Sequence, residues 1–161
     1  MRPDTRIDIA IASQRLTLLA DGVLVASYSV STAANGAGQQ QGSGTTPTGA
    51  HYVRAMIGRG LPAGTVFVAR RPTGEIYTPD LARANPDRDW ILSRILWLCG
   101  TEWGHNRGPG VDTFRRFIYI HGTPDTEPMG APRSHGCIRM HNSDVIDLFD
   151  RVQAGLPVFI D

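Results

Sequence analysis

Between Tyr119 and Asn142 the chain reads YIHGTPDTEPMGAPRSHGCIRMHN, a stretch that holds three of the five histidines and one of the two cysteines. A thiol among imidazoles points to nucleophilic attack on an acyl carbon, because a cysteine is mostly protonated at neutral pH and needs a base to become a thiolate. Ser134-His135-Gly136-Cys137 places a small polar residue, an imidazole and a glycine immediately before the sulfur. The glycine lets the backbone turn tightly, presenting the thiol at a surface beside backbone N–H groups, the arrangement that stabilises an oxyanion.

Two imidazoles compete for the role of base. His135 is two residues from Cys137, and in an extended or turn segment its side chain projects away from the thiol. His121 lies sixteen residues earlier, directly after a β-type run, where a strand can hold its ring against the sulfur while a Gly/Pro-rich loop returns. His121 is therefore the expected general base. Its other ring nitrogen needs an acceptor, and with no Asp or Asn obviously placed, the backbone carbonyl near Gly122 is the expected orienting group.

The same segment also offers a rival chemistry, since His121, His135, Cys137 and His141 make an N/S set of the kind zinc prefers. The spacing His-x-Cys-x-x-x-His matches none of the familiar structural zinc patterns, so no metal and no cofactor is expected. Cys99, inside the apolar run ILWLCG, reads as a core residue rather than a disulfide partner of Cys137. His51 and His105 read as surface residues, Trp90, Trp97 and Trp103 as core, and Arg115-Arg116 as a solvated strand end.

The elements that must position these groups are mostly short strands. RIDIAIA, RLTLLA and VLVASYSVS follow one another from Arg6, and Asp21-Gly22 between the second and third is a hairpin signal, because both residues accept the positive φ of a type I′ turn. Residues 33–49, AANGAGQQQGSGTTPTG, read as a surface loop; no Gly-Lys-Ser/Thr follows to make it a phosphate loop. HYVRAMIG and TVFVARR read as strands, PTGEIYTPDLARANPDRD as irregular, WILSRILWLCG as a buried strand in preference to a helix, and RRFIYI as a β run ending at His121. One helix is expected near the C-terminus, capped by Asn142 or Ser143, with Val145, Ile146, Phe149 and Val152 on its apolar face and Gly155 ending it. LPVFI closes the chain as a strand. The expected architecture is mainly β, a β-sandwich or barrel of short strands with one packed C-terminal helix, formed by residues 1–161 as a single domain.

Composition excludes other classes. The 16 basic and 15 acidic residues are scattered and leave a net charge of +1, so no extended field exists to hold nucleic acid. No run approaches the ~20 apolar residues of a membrane helix, and Asp4, Arg6 and Asp8 interrupt any export-signal core near the N-terminus. A cytoplasmic location is expected on that ground, or a periplasmic one if an export signal was removed.

The pattern IHG…SHGCIRM, with Thr-Pro-Thr-Gly at 46–49 upstream, resembles the L,D-transpeptidase catalytic (YkuD) family, and the resemblance runs from SQRLTLL near residue 13 to the closing LPVFI. It implies that Cys137 attacks the carbonyl joining meso-diaminopimelate to D-Ala in a peptidoglycan tetrapeptide stem, with His121 as base. It also places Ser134 and His135 around the substrate pocket and backbone groups near Gly136 and Cys137 at the oxyanion. Many members carry Asn two residues after the cysteine where this chain has Arg139, read here as a partner for a substrate carboxylate, which a guanidinium grips bidentately. Water as acceptor would make an L,D-carboxypeptidase acting on tetrapeptides or muropeptides. An amine acceptor would make 3-3 cross-links, and a non-catalytic or zinc-binding member would hold wall peptides without cutting them. The expected cytoplasmic location favours water.

Overall fold

The computed structural model describes residues 4–161; residues 1–3, where the stretch read for an export signal and the single domain both begin, lie outside the described residues. The chain opens as the expected meander, β1 (Thr5–Ala10), β2 (Arg15–Ala20) and β3 (Val23–Ser29). Asp21 and Gly22 join β2 to β3 with φ of 50° and 77°, the left-handed pair that a tight right-twisted hairpin requires. Strands β4 (Gly49–Ile57), β5 (Thr65–Val68), β6 (Arg71–Ile76), β7 (Ile91–Gly100), β8 (Tyr119–Thr123), β9 (Ile138–His141) and β10 (Pro157–Ile160) follow. All ten join one curled sheet, ordered β3-β2-β1-β10-β4-β7-β5-β6, with β8 on β7 and β9 on β8. The run around Trp97 is thus a strand, as read. It is buried almost continuously because both faces are covered.

Helix α2 (Asn142–Arg151) lies against β7, β8 and β9. It buries Val145, Leu148 and Phe149 against Leu96, Leu98, Ile120, Ile138 and Met140. The N-cap is His141, one residue before the expected cap, because the Asn142 side chain bonds the β8 end instead.

The stretch read as irregular holds two elements. β6 pairs with β5 through a turn at Ala69 and Arg70, whose φ of 49° and 64° carry no glycine to announce them. Helix α1 (Pro79–Ala84) starts where the Thr78 hydroxyl accepts the Leu81 N–H at 3.1 Å. RRFIYI also differs: residues 113–117 form turns, and β8 begins at Tyr119 and runs past His121 to Thr123 because β9 pairs beside it in parallel.

The loop over residues 33–49 is not purely a surface loop. Ala33 and Thr46 are fully buried, and the Thr46 hydroxyl accepts the Ala33 N–H and donates to the Gly136 carbonyl at 2.9 Å. His51 is buried as well, bonded to Thr113 Oγ1 and the Gly49 carbonyl, which corrects its reading as a surface residue. Cys99 is buried and, like Cys137, a free thiol. Of the tryptophans, Trp97 packs half-buried against the cluster of Phe67, Ile95 and Tyr119, Trp90 is half-buried, and Trp103, 77% exposed, departs from the core reading. Among the described residues no helix is long and apolar enough to cross a membrane.

Candidate active site

Strand parity assembles the site. In the parallel pair β8–β9, Ile120 lies opposite Ile138 and His121 opposite Arg139. Ile118, Ile120, Ile138 and Met140 face the core under α2. The alternate residues Tyr119, His121, Cys137 and Arg139 must then face the other side. There they line a cleft of about 290 Å³ together with Arg70, Asp89 and Arg116.

Cys137 is half-buried at the cleft floor. Its sulfur accepts the Tyr119 N–H at 3.3 Å and donates its proton toward the Phe117 carbonyl at 3.4 Å. Burial pushes the thiol up to about 12, reinforced by Asp89 and only partly offset by the Tyr119 N–H, Arg139 and Arg116. His121 is 2% exposed, and burial lowers its pKa below the ordinary histidine value, with Arg139 adding to the effect against the Gly122 carbonyl and Asp89. Both shifts favour the uncharged thiol and the uncharged imidazole.

His121 Nδ1 lies 2.6 Å from the Gly122 carbonyl, the orienting group read from the sequence. A carbonyl only accepts, so Nδ1 carries the hydrogen and Nε2 keeps a lone pair for a proton. Among the described residues no hydrogen bond yet joins His121 to the sulfur, whose proton points at Phe117. Bonds of this kind commonly tighten only when substrate closes the site.

The remaining predicted residues divide. Ser134 is buried; its hydroxyl donates to the Cys137 carbonyl at 2.6 Å and accepts the Gly136 N–H at 3.2 Å. It clamps the turn that carries the thiol, and it engages the Gly136 amide, one of the backbone groups expected at an oxyanion. Gly136 has a φ of 139°, and a Cβ there would lie 3.2 Å from Ile118 Cδ1 and 3.3 Å from the Thr45 carbonyl. His135 is exposed at the junction of the cleft with a second cavity of about 240 Å³, which also shares Asp89 and Arg139. Arg139 reaches Asp89 at 3.5 Å and the Arg133 carbonyl at 3.3 Å, so its guanidinium is already held by an internal carboxylate. His121, His135 and Cys137 line the same cleft while His141 does not, and among the described residues no three His, Cys, Asp or Glu side chains are placed to hold a metal ion.

Other residues of the cleft escaped the sequence reading. Arg116, read as solvated, is half-buried and donates to the carbonyls of Gly38 (3.1 Å) and Thr45 (2.6 Å), tying the 33–49 loop to the cleft wall. Arg70 stacks over Trp97 and Phe117 and donates to the Tyr119 hydroxyl at 3.0 Å. Tyr119 was legible in principle, two residues before His121 on the same strand face. Arg70, Arg116 and Asp89 come from turns and loops that carry no motif.

The family model for the L,D-transpeptidase catalytic domain (YkuD) matches residues 4–160. The chain belongs to this family. Among curated L,D-transpeptidase relatives, YqjB of Bacillus subtilis (strain 168), whose name assigns it only provisionally, is 41% identical over 61 residues, 38% of this chain and 34% of its own. YkuD of the same strain, also provisionally named, is 33% identical over 95 residues, 59% of this chain and 48% of its own. The chain thus spans between a third and a half of the curated relatives it matches. Solved L,D-transpeptidases share the fold at low identity. The Mycobacterium smegmatis enzyme superposes with a TM-score of 0.61 at 17% identity, over 99% of this chain and 59% of that one. L,D-transpeptidase 3 from Mycobacterium tuberculosis, solved with a faropenem-derived adduct, gives 0.59 at 18% identity, over 99% and 60%.

Proposed function

We propose that this L,D-transpeptidase family chain cleaves the bond between meso-diaminopimelate and D-Ala in peptidoglycan tetrapeptide stems, passing the acyl group through Cys137 to water. The observation that carries the reading is the His121 Nδ1 bond to the Gly122 carbonyl, which leaves Nε2 as a proton acceptor in the same cleft as the Cys137 sulfur. As the sulfur attacks the carbonyl carbon, its proton passes to Nε2 and a C–S bond forms. The Cys137 N–H stands beside the oxygen that gains charge, the Gly136 amide being held by Ser134. Collapse breaks the C–N bond, and His121 returns its proton to the departing D-Ala amine. Water then attacks the thioester with His121 again as base, the C–S bond breaks to release a tripeptide, and His121 returns the proton to the Cys137 sulfur. Arg139 exchanges Asp89 for a substrate carboxylate.

Cys137 is only half-buried in the cleft, so water reaches the thioester carbon without a second binding site, which supports water as acceptor. A second reading, transfer to the amine of another stem, is favoured by the adjoining cavity that shares Asp89, His135 and Arg139 with the cleft. Incubating the protein with a disaccharide tetrapeptide and following products by mass separates these. Loss of one alanine means hydrolysis, a dimer lacking one alanine means cross-linking, and Cys137→Ala abolishes either. Binding without cleavage would refute acyl transfer.

A further inference from the structure

The β7–β8 ladder breaks beside the imidazole. Leu92 pairs with Gly122 and Ile95 with His121, so Ser93 and Arg94 are two additional β7 residues set against the junction of His121 and Gly122. Ser93 is fully buried yet has a φ of 72°, a left-handed conformation that an L side chain adopts at a cost and that persists only where its surroundings impose it. Two bonds impose it: the Ser93 hydroxyl donates to Asn142 Oδ1 at 2.5 Å and accepts the Gly64 N–H at 2.9 Å. Asn142, the first residue of α2, turns its amide the other way and donates to the Thr123 carbonyl at 3.0 Å and to Asp125 Oδ1 at 3.3 Å.

Gly122 lies inside this grip. A Cβ there would stand 2.5 Å from the Leu92 carbonyl oxygen and 2.6 Å from Asn142 Oδ1, so the strand can pass only without a side chain. The peptide unit between Gly122 and Thr123 carries the carbonyl that accepts from His121 Nδ1, and Asn142 pins the next carbonyl along. Rotation that would swing the Gly122 carbonyl away from the ring must break the Asn142 bond to Thr123 or push Asn142 off Ser93.

We infer that Ser93 and Asn142 are positioning residues: their bridge across the β7 bulge holds the Gly122 carbonyl against His121 Nδ1 and so keeps the ring in the one tautomer and orientation that offers Nε2 to the cleft. This rests on His121 acting as the base in the proposed reaction, whereas the strain at Ser93 and the close approach at Gly122 do not.

The test uses the full chain with Ser93→Gly, Ser93→Ala and Asn142→Ala, each checked for folding by circular dichroism. Ser93→Gly is the decisive variant, because glycine adopts the positive φ freely while the hydroxymethyl group is lost, and Ser93→Ala, which removes the hydroxyl alone, controls for the missing Cβ. The expected result is a fall in kcat of about 10- to 100-fold with KM little changed, as misplacing a catalytic group does. Nitrogen NMR of the His121 ring should show the Nδ1–H tautomer alone in the parent and both tautomers in the variants. Folded Ser93→Gly and Asn142→Ala proteins that keep parental kcat and a single tautomer would overturn the inference. If the parent does not cleave the tetrapeptide, the reaction is refuted separately, while the tautomer signal still decides whether the bridge orients the ring.

Discussion

Ser134→Ala should destabilise the protein and disable the thiol together, because one buried hydroxyl holds both ends of the turn that carries Cys137. Its removal leaves the Gly136 N–H and the Cys137 carbonyl without the partners they now have at 3.2 and 2.6 Å. An orphaned buried backbone group costs about 1–3 kcal/mol. The two losses share one side chain and are not additive, so about 2–4 kcal/mol is the expected total. Against a whole-domain stability of about 5–15 kcal/mol that is a large fraction. In urea denaturation, with a slope of about 2 kcal/mol/M, the midpoint should fall by about 1–2 M without a change of slope. Ser134→Thr, which keeps the hydroxyl, should recover most of it. kcat should fall in the alanine variant, since the sulfur loses its fixed place beside the Tyr119 N–H. A midpoint shift under about 0.25 M, about 0.5 kcal/mol, with kcat unchanged would refute the clamp and return Ser134 to the role of a simple pocket lining.

Three further outcomes follow from the same geometry. With the thiol pushed up to about 12, alkylation of Cys137 by iodoacetamide at neutral pH should run about 100-fold slower than that of a free cysteine near 8.5, the scarcity of thiolate being partly offset by its greater nucleophilicity, and should keep rising beyond pH 9; a plateau near neutrality would instead reveal a standing thiolate–imidazolium pair. Asp89→Asn should lower KM for a carboxylate-bearing stem, because Arg139 is released from an ion pair whose aspartate is 58% exposed, and should change stability by less than about 1 kcal/mol; a raised KM would contradict that role. Burial lowers His51 to about 4, so the unfolded chain, titrating near 6.5, binds the proton first on acidification. The stability due to neutral His51 is complete above about pH 6.5 and falls by about 3 kcal/mol toward pH 4, a loss that His51→Gln should reduce in urea titrations across that window.

Much of this was legible in the chain. The opening meander is legible because Asp21-Gly22 is a turn chemistry with few alternatives, and α2 because its apolar face recurs at helical spacing, with Leu148 joining that face in the structure. Cys137 and His121 stand out as candidates because residue type and motif coincide, and strand parity puts both in one cleft. The β5–β6 hairpin was hidden because Ala69 and Arg70 adopt left-handed backbone without glycine. Arg116 looked solvated because nothing local reveals that the carbonyls of Gly38 and Thr45 arrive from a loop some seventy residues earlier. The same holds for Asp89, which meets Arg139 only through tertiary structure, and for Ser93, whose strain belongs to a bulge that no periodicity reports.

The account stands most directly on the covalent intermediate. Intact-protein mass spectrometry of the parent, quenched rapidly after mixing with a tetrapeptide stem, should show the chain carrying the stem minus its terminal D-Ala as a thioester on Cys137, with free D-Ala released in equal amount. D-Ala release that persists in Cys137→Ala, or an adduct on any other residue, would contradict it.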